Sequence, residues 1–335
     1  MTVNEVRAHF EKHGASICAH IREGRYIPAA VKRVDIPKPN GGTRMLGIPT
    51  VQASVIQQAI AQVLIKHFDP LFSEFSYGFR PGKSAHQAIE QTQKYIAEGR
   101  TWVVELDLAK FFDTVNRLMS KLGQHIEDKM LLRLIRRYLR TGIMSDGVVQ
   151  VREEGTPQGS PLSPILSLIV LDELDKSLDK RGLKYCRCNC YAKSRKAVER
   201  TLENVISFIE ETLKLRVNSD KSGVFRPSKA KFLGNTFVGN TGAARVHAKS
   251  FQRLRDRLKE IFIRARGTSL RKTIARVIMV LRGWRNYFRL DERKGIFESL
   301  DIHIRRHLRK LIWIAWKSSM NGRGAWWNAD ALYIR

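Results

Sequence analysis

Long apolar runs are missing from the sequence. No stretch approaches the ~18 apolar residues that a membrane-spanning helix needs, and Met1 opens into Thr-Val-Asn-Glu-Val-Arg without the apolar core of a signal peptide. Cysteine is scarce, four residues in 335, and three of the four crowd together at Cys186, Cys188 and Cys190. That spacing excludes a secreted disulfide framework. Acid is the third shortage: 32 Asp+Glu face 60 Lys+Arg, a formal net charge of +28. Such an excess excludes the ordinary small-molecule enzyme and points to a polyanion, because cations that neutralise phosphates release condensed counterions. The basic residues are interleaved with aromatics rather than gathered in one juxtamembrane block, which favours nucleic acid over a lipid surface as the partner. The expectation is a cytoplasmic, nucleic-acid-associated protein with no membrane partner.

The charge is uneven. Residues 241–335 hold 23 Lys+Arg and 7 Asp+Glu, a net of +16 out of +28. Periodicity predicts helices over 3–23, 52–68, 127–141, 165–180 and 195–213, and mostly helix from 249 to 317. Residues 31–49 read as strand, turn, strand, with Asn40-Gly41-Gly42 as the hairpin signal. Trp102 to Leu108 is β-rich, and Lys184 to Ala192 alternates as a strand. The predicted class is α/β (α+β): a mixed body over 1–240, then a basic helical domain over 241–335.

Two segments carry chemistry. In residues 103–113, Val-Val-Glu-Leu-Asp-Leu-Ala-Lys-Phe-Phe-Asp, a buried β run ends on Asp107. A carboxylate there is costly unless it is paired or binds a cation; capping the next helix is the plainer alternative. In residues 154–164, Glu-Gly-Thr-Pro-Gln-Gly-Ser-Pro-Leu-Ser-Pro, a sharp turn opens a helix at Leu162 and lets backbone approach a nucleic-acid strand. In the C-terminal part, Trp284 and Tyr287 stand among Arg282, Arg285 and Arg289, a pattern suited to stacking and phosphate contact. Arg305 and Arg306 lie on a second basic helix, 303–310, whose His303 and His307 read as surface residues.

With Ser-Tyr-Gly-Phe-Arg-Pro-Gly-Lys-Ser-Ala-His at 76–86, these motifs stand in the order of the group II intron-encoded reverse transcriptases/maturases, and the chain resembles that family along nearly its whole length. The resemblance implies right-hand polymerase fingers and palm followed by a helical thumb/maturase domain. It implies RNA-directed DNA synthesis with Mg²⁺ and binding of group II intron RNA and of a primer–template duplex. Lys32, Lys38 and Arg44 fall on the fingers arm that contacts the incoming triphosphate. Asp107 falls on the first catalytic, metal-binding aspartate and Phe112 on the aromatic that excludes a ribose 2′-hydroxyl. Gln158 and Gly159 fall on the block beside template and nucleotide, and Lys221, in Leu213-Lys-Leu-Arg-Val-Asn-Ser-Asp-Lys-Ser222, on the lysine near the nucleotide. Phe232-Leu-Gly234 matches the primer grip, and Gly283-Trp-Arg-Asn-Tyr-Phe288 a thumb signature.

The departure from the family pattern matters most. Members carry Tyr-Ala-Asp-Asp on a hairpin turn; here Lys184-Tyr-Cys-Arg187 joins Cys188-Asn-Cys-Tyr-Ala-Lys-Ser194 directly. Two-metal nucleotidyl transfer needs several converging carboxylates, and Asp107 alone does not supply them. Asp113 is expected to point elsewhere, and Asp172, Asp175 and Asp179 sit at helical spacings as solvated charges. Without turn residues, 184–192 either runs as one strand or unravels to make a new turn. The three cysteines, alternating on a strand, fall on one buried face; a fourth ligand for zinc is not in evidence nearby. The resulting expectation is an RNA-binding maturase-like protein with impaired polymerase activity. An active polymerase with a rebuilt metal site and a non-functional remnant are the alternatives.

Overall fold

The structure, a computed structural model, describes residues 1–37, 41–109, 115–145, 148–150, 159–187, 189–265, 268–291 and 293–321. The chain divides into two compact units, Met1–Arg226 and Pro227–Arg335. The division falls upstream of the expected boundary near residue 240. The reason is a hairpin that belongs with the helices: the Val246 N–H donates to the buried Asp291 carboxylate at 2.7 Å.

The first unit opens with helix α1 (Val6–Arg22). The expected hairpin follows as β1 (Val31–Pro37) and β2 (Thr43–Ile48), antiparallel. Two strands that periodicity did not predict, β5 (Ile143–Ser145) and β6 (Val148–Gln150), extend it to a sheet of order β2-β1-β5-β6. Helix α2 (Val51–Phe68) starts where Thr50 accepts a hydrogen bond from the Ala53 N–H. Helix α3 (Ala85–Ala97) starts on a reciprocal Ser84–Gln87 capping box. Both caps satisfy backbone donors that a helix start would otherwise leave free.

The central sheet has the order β10-β3-β8-β7 and is antiparallel throughout. Its strands are β3 (Trp102–Glu105), β7 (Lys184–Cys186), β8 (Asn189–Ala192) and β10 (Gly223–Phe225). Helices α4 (Val115–Gly123), α5 (Lys129–Leu139), α6 (Ser163–Lys180) and α7 (Arg195–Ser207) complete the unit. A small pair, β4 (Leu108–Ala109) with β9 (Arg216–Val217), continues past the end of β3. One core joins α2, α6, α7 and the central sheet through Leu64, Leu166, Ile169, Val198, Val104 and Tyr185, each at most 1% exposed. Burying side chains of this size contributes roughly 1.5–3 kcal/mol each.

The second unit has the hairpin β11 (Asn235–Phe237) and β12 (Ala244–Val246), then α8 (Ala248–Arg264), α9 (Leu270–Tyr287) and α10 (Lys294–Asn321). Leu254, Leu258 and Phe262 of α8 meet Val277, Leu300 and Ile304 in a separate core. The i, i+4, i+8 spacing of the α8 residues makes that apolar stripe, while Arg253, Arg257 and Arg264 stay exposed. Among the described residues, no helix is long and apolar enough to cross a membrane.

Candidate functional site

Strand β3 delivers Asp107 two residues beyond its last ladder pair, Glu105↔Asn189. A turn from the other side cradles it. The Asn218 N–H donates to the Asp107 carbonyl at 2.8 Å, and the Asp107 N–H donates to Ser222 Oγ at 3.0 Å. That turn brings Lys221 Nζ to 3.3 Å from Asp107 Oδ2, with Asn218 Nδ2 at 3.5 Å from the same oxygen. Asp107 and Lys221, paired by the family resemblance with catalysis and nucleotide, are thus side by side. Both are accessible, with side chains 47% and 67% exposed.

The remaining expected site residues of this unit are placed as follows. Lys32 is exposed on β1. Arg44 lies on β2, opposite Ile36. Lys38, Phe112, Asp113 and Gln158 fall outside the described residues. Gly159 is described, at φ +114°, where a Cβ would stand 3.2 Å from the Gly47 carbonyl oxygen. Only glycine adopts that backbone readily, so the turn can lie close against β2.

Of the two alternatives for residues 184–192, the structure has the shortened hairpin. Strands β7 and β8 pair antiparallel and close at Cys186↔Asn189, leaving Arg187 and the residue after it as the connection. A two-residue loop is the shortest common hairpin connection. The β3–β8 ladder therefore stops at Glu105, two residues before Asp107. The hairpin's turn residue is a cation, and it points inward: Arg187 Nε and Nη2 reach Asp175 Oδ2 on α6 at 3.2 and 2.5 Å.

This pairing corrects the reading of the helix-face aspartates. Asp179 is exposed, but Asp172 and Asp175 are buried. Helix α6 is enclosed by α2, α4 and β7, so a position that periodicity assigns to a polar face lies in the interior. Burial raises the Asp175 pKa above the ordinary carboxylate range, and Arg187 opposes that rise. Asp172 instead meets Lys176 at 2.6 Å.

The cysteines do not share one face. Cross-strand partners lie on the same side of a sheet, and Cys190 pairs with Tyr185 whereas Cys186 pairs with Asn189. Cys186 and Cys190 therefore point to opposite faces, which corrects the expectation drawn from their alternation, and Cys188 lies outside the described residues. Burial pushes the Cys186 thiol up to about 12, which keeps it protonated at neutral pH.

The resemblance implies Mg²⁺, and among the described residues the donor set is too small for it. Among the described residues, no group of three His, Cys, Asp or Glu side chains could hold a metal ion. Asp107 Oδ2 already faces the Lys221 ammonium, which competes with any cation for it. The described residues do not fit a two-metal centre, which needs several converging carboxylates.

On the second unit, Arg282, Arg285, Tyr287 and Arg289 are exposed, as are Arg305 and Arg306. Arg305 pairs with Asp301 at 2.8 Å. Tyr287 is anchored by its hydroxyl, which donates to the Leu233 carbonyl at 3.1 Å. Trp284 does not join this face. Its ring packs on Phe251, Phe288 and Phe297 at 4.9–6.2 Å, because its position continues the apolar stripe of α9. His303 and His307 are half-buried rather than surface residues, with His307 stacked on Phe262 at 4.8 Å. Burial, reinforced by His307, Arg255 and Arg306, lowers the His303 pKa. Sequence reasoning passed over Asp291, which is fully buried in side chain and paired with Arg293 at 2.6 Å; its one signal was a carboxylate in a short loop between basic helices.

The family described as reverse transcriptase (RNA-dependent DNA polymerase) matches residues 36–237, and the group II intron, maturase-specific domain matches residues 251–331. The chain is 33% identical over 248 residues to Protein YkfC of Escherichia coli K12, covering 60% of this chain and 64% of that protein. It is 34% identical over 212 residues to the group II intron-encoded protein LtrA of Lactococcus lactis subsp. cremoris, covering 62% of this chain and 35% of that one. The aligned part is less than two thirds of either relative. In fold, it is similar to telomerase from Candida albicans, solved with a TWJ fragment of telomeric RNA (TM-score 0.51, 15% identity, 90% of this chain and 64% of that one). Apo telomerase from Candida tropicalis gives a TM-score of 0.52 at 11% identity, over 91% of this chain and 68% of that one.

Proposed function

We propose that this chain, which belongs to the reverse transcriptase family and carries a group II intron maturase-specific domain, works as an RNA-binding maturase-like protein whose polymerase activity is impaired. Its RNA would be group II intron RNA, with a primer–template duplex as a second ligand. The observation that carries the reading is the β7–β8 hairpin. It closes on Arg187, which is turned onto Asp175, and so brings no carboxylate toward Asp107. Among the described residues, nucleotidyl transfer by two metal ions then lacks the ligands to hold them. RNA binding needs no such centre. The formal charge of +28 and the exposed Arg282, Arg285, Arg289 and Arg306 support it, since phosphate contact supplies most of the sequence-independent affinity.

The test is primer extension on an RNA template with Mg²⁺, run beside Asp107→Ala, with a gel-shift lane for RNA binding. The expected outcome is RNA bound and no extension. Extension that disappears in Asp107→Ala would overturn the impairment and put a rebuilt metal site around Asp107. No binding at low salt would overturn the RNA-binding reading itself.

A further inference from the structure

The end of the central sheet opposite Asp107 gathers cations from four strands. β3 begins there at Trp102, β8 ends there opposite it at Ala192, β10 ends at Phe225 and β7 begins at Lys184. Arg100, Lys184, Lys193, Arg195, Lys196 and Arg226 therefore converge on one edge. Two carboxylates answer them: Glu98 at 3.4 Å from Arg100 and Glu199 at 2.7 Å from Arg195. Lys184, Lys193 and Lys196 have no ion pair among the described residues.

The cluster is organised as well as charged. The Arg226 guanidinium lies over the Trp102 ring at 4.0 Å from its centroid, and Arg195 approaches the same ring at 5.7 Å. Arg226 also donates through Nη1 to Thr101 Oγ1 at 3.0 Å. One side of the fork is thereby fixed while the residue stays exposed. A guanidinium held flat on an aromatic loses less freedom when it binds a phosphate, and its planar donors match phosphate geometry. Helix α7 begins at this edge behind its Ser194 cap, so its positive end adds to the field. At about 3.3 Å per residue, five residues of strand put the edge roughly 16 Å from Asp107.

The geometry points to a second polynucleotide site on this edge, which binds the sugar–phosphate backbone of RNA without regard to sequence. The inference rests on the RNA-binding reading above and adds a palm-borne contact to the one expected on the helical unit. Trp102 serves as the platform for Arg226 rather than as a stacking surface for a base, since the guanidinium occupies its face.

The test uses the full chain and a structured RNA, with affinity measured across a salt series. Arg195→Glu/Lys196→Glu/Arg226→Glu is compared with Lys129→Glu/Arg136→Glu/Arg140→Glu, an equal change of charge on exposed residues of α5 and its C-terminal cap. Every phosphate that is no longer neutralised reduces the slope of log K against log salt by about 0.7–0.9. The palm-edge variant is expected to reduce it by about 2 and the α5 variant to leave it nearly unchanged. Thermal unfolding of both verifies that they are folded, and Arg226→Gln, which removes the charge and keeps a polar side chain, is expected to lose a smaller part of the same slope. A wild-type slope retained in the palm-edge variant would overturn this inference and leave RNA binding intact. Equal reductions in both triple variants would assign the effect to net charge and overturn it too. A wild-type chain that binds no RNA would remove both readings together.

Discussion

Asp175 and Asp291 are both buried carboxylates held by an arginine, and they respond to pH with opposite signs. Burial is the largest influence on Asp175 and raises its pKa despite Arg187. Its contribution to stability is therefore fullest below the unfolded value of ~3.9 and is lost as pH rises through the raised folded value. Burial also pushes Asp291 upward, but hydrogen bonds from Arg293 and from the Val246 N–H outweigh it and hold the pKa below the ordinary range. That contribution is present above the unfolded value and lost as pH falls through the depressed folded one. Arg187→Ala is expected to cost about 3–5 kcal/mol at pH 7, because it leaves the Asp175 charge buried without a partner. The deficit should shrink in acid, as Asp175 takes up a proton. Asp291→Asn should have its deficit largest at neutral pH and smallest in acid, because the charge it removes is the stabilising form. Urea unfolding of the three proteins at pH 7 and pH 4.5 checks both. An Arg187→Ala deficit that grows on acidification would contradict the account of Asp175.

In the proposed function, the β7–β8 hairpin is the element that decides polymerase activity. Inserting Tyr-Ala-Asp-Asp between Arg187 and Cys188 is expected to lengthen it toward Asp107 and to recover at least partial RNA-templated synthesis with Mg²⁺. A folded, RNA-binding insertion variant with no extension activity would mean that the smaller differences elsewhere in the chain disable synthesis independently. Much at this scale is legible in the sequence. The hairpin of β1 and β2, helices α2, α5, α6 and α7 and the run of basic helices all follow from period, turn residues and caps. Helices α3 and α4 and strands β5 and β6 do not; β5 and β6 are only three residues each, and β5 pairs with β1 from far along the chain, which local pattern does not encode. At the site, motif order points to Asp107 and Lys221, and the structure brings them together. Asp172, Asp175 and Trp284 depart from expectation for a common reason. Periodicity gives the faces of a helix but not what packs on them, and α6 is covered where a solvated face is expected. The hairpin turn escapes because the alternation of 184–192 is equally that of one strand or of two short ones, and only cross-strand pairing separates them.

For the whole molecule, the charge of +28 makes salt act in two directions. Free protein carries its excess cations in mutual repulsion, which disfavours the compact state. Added salt screens that repulsion over a length that falls from about 30 Å at 0.01 M to about 10 Å at 0.1 M, so the Tm of the free protein should rise with salt. RNA affinity should fall over the same range. A protein that makes 6–10 phosphate contacts loses about 10³–10⁵ in affinity between 50 and 200 mM salt. Ligand that binds only the folded state stabilises it by RT ln(1 + [L]/Kd), so RNA should raise the Tm strongly at low salt and hardly at all at high salt. The curves with and without RNA must then converge as salt increases, the free curve climbing and the bound curve descending toward it. Thermal melts of the full chain at several salt concentrations, with and without a structured RNA in excess, measure both at once. A free-protein Tm that falls with salt would mean that exposed ion pairs such as Arg257–Glu260 and Arg305–Asp301 outweigh the net repulsion. An RNA-induced shift that is independent of salt would be incompatible with binding through phosphates, whichever unit carries the contacts.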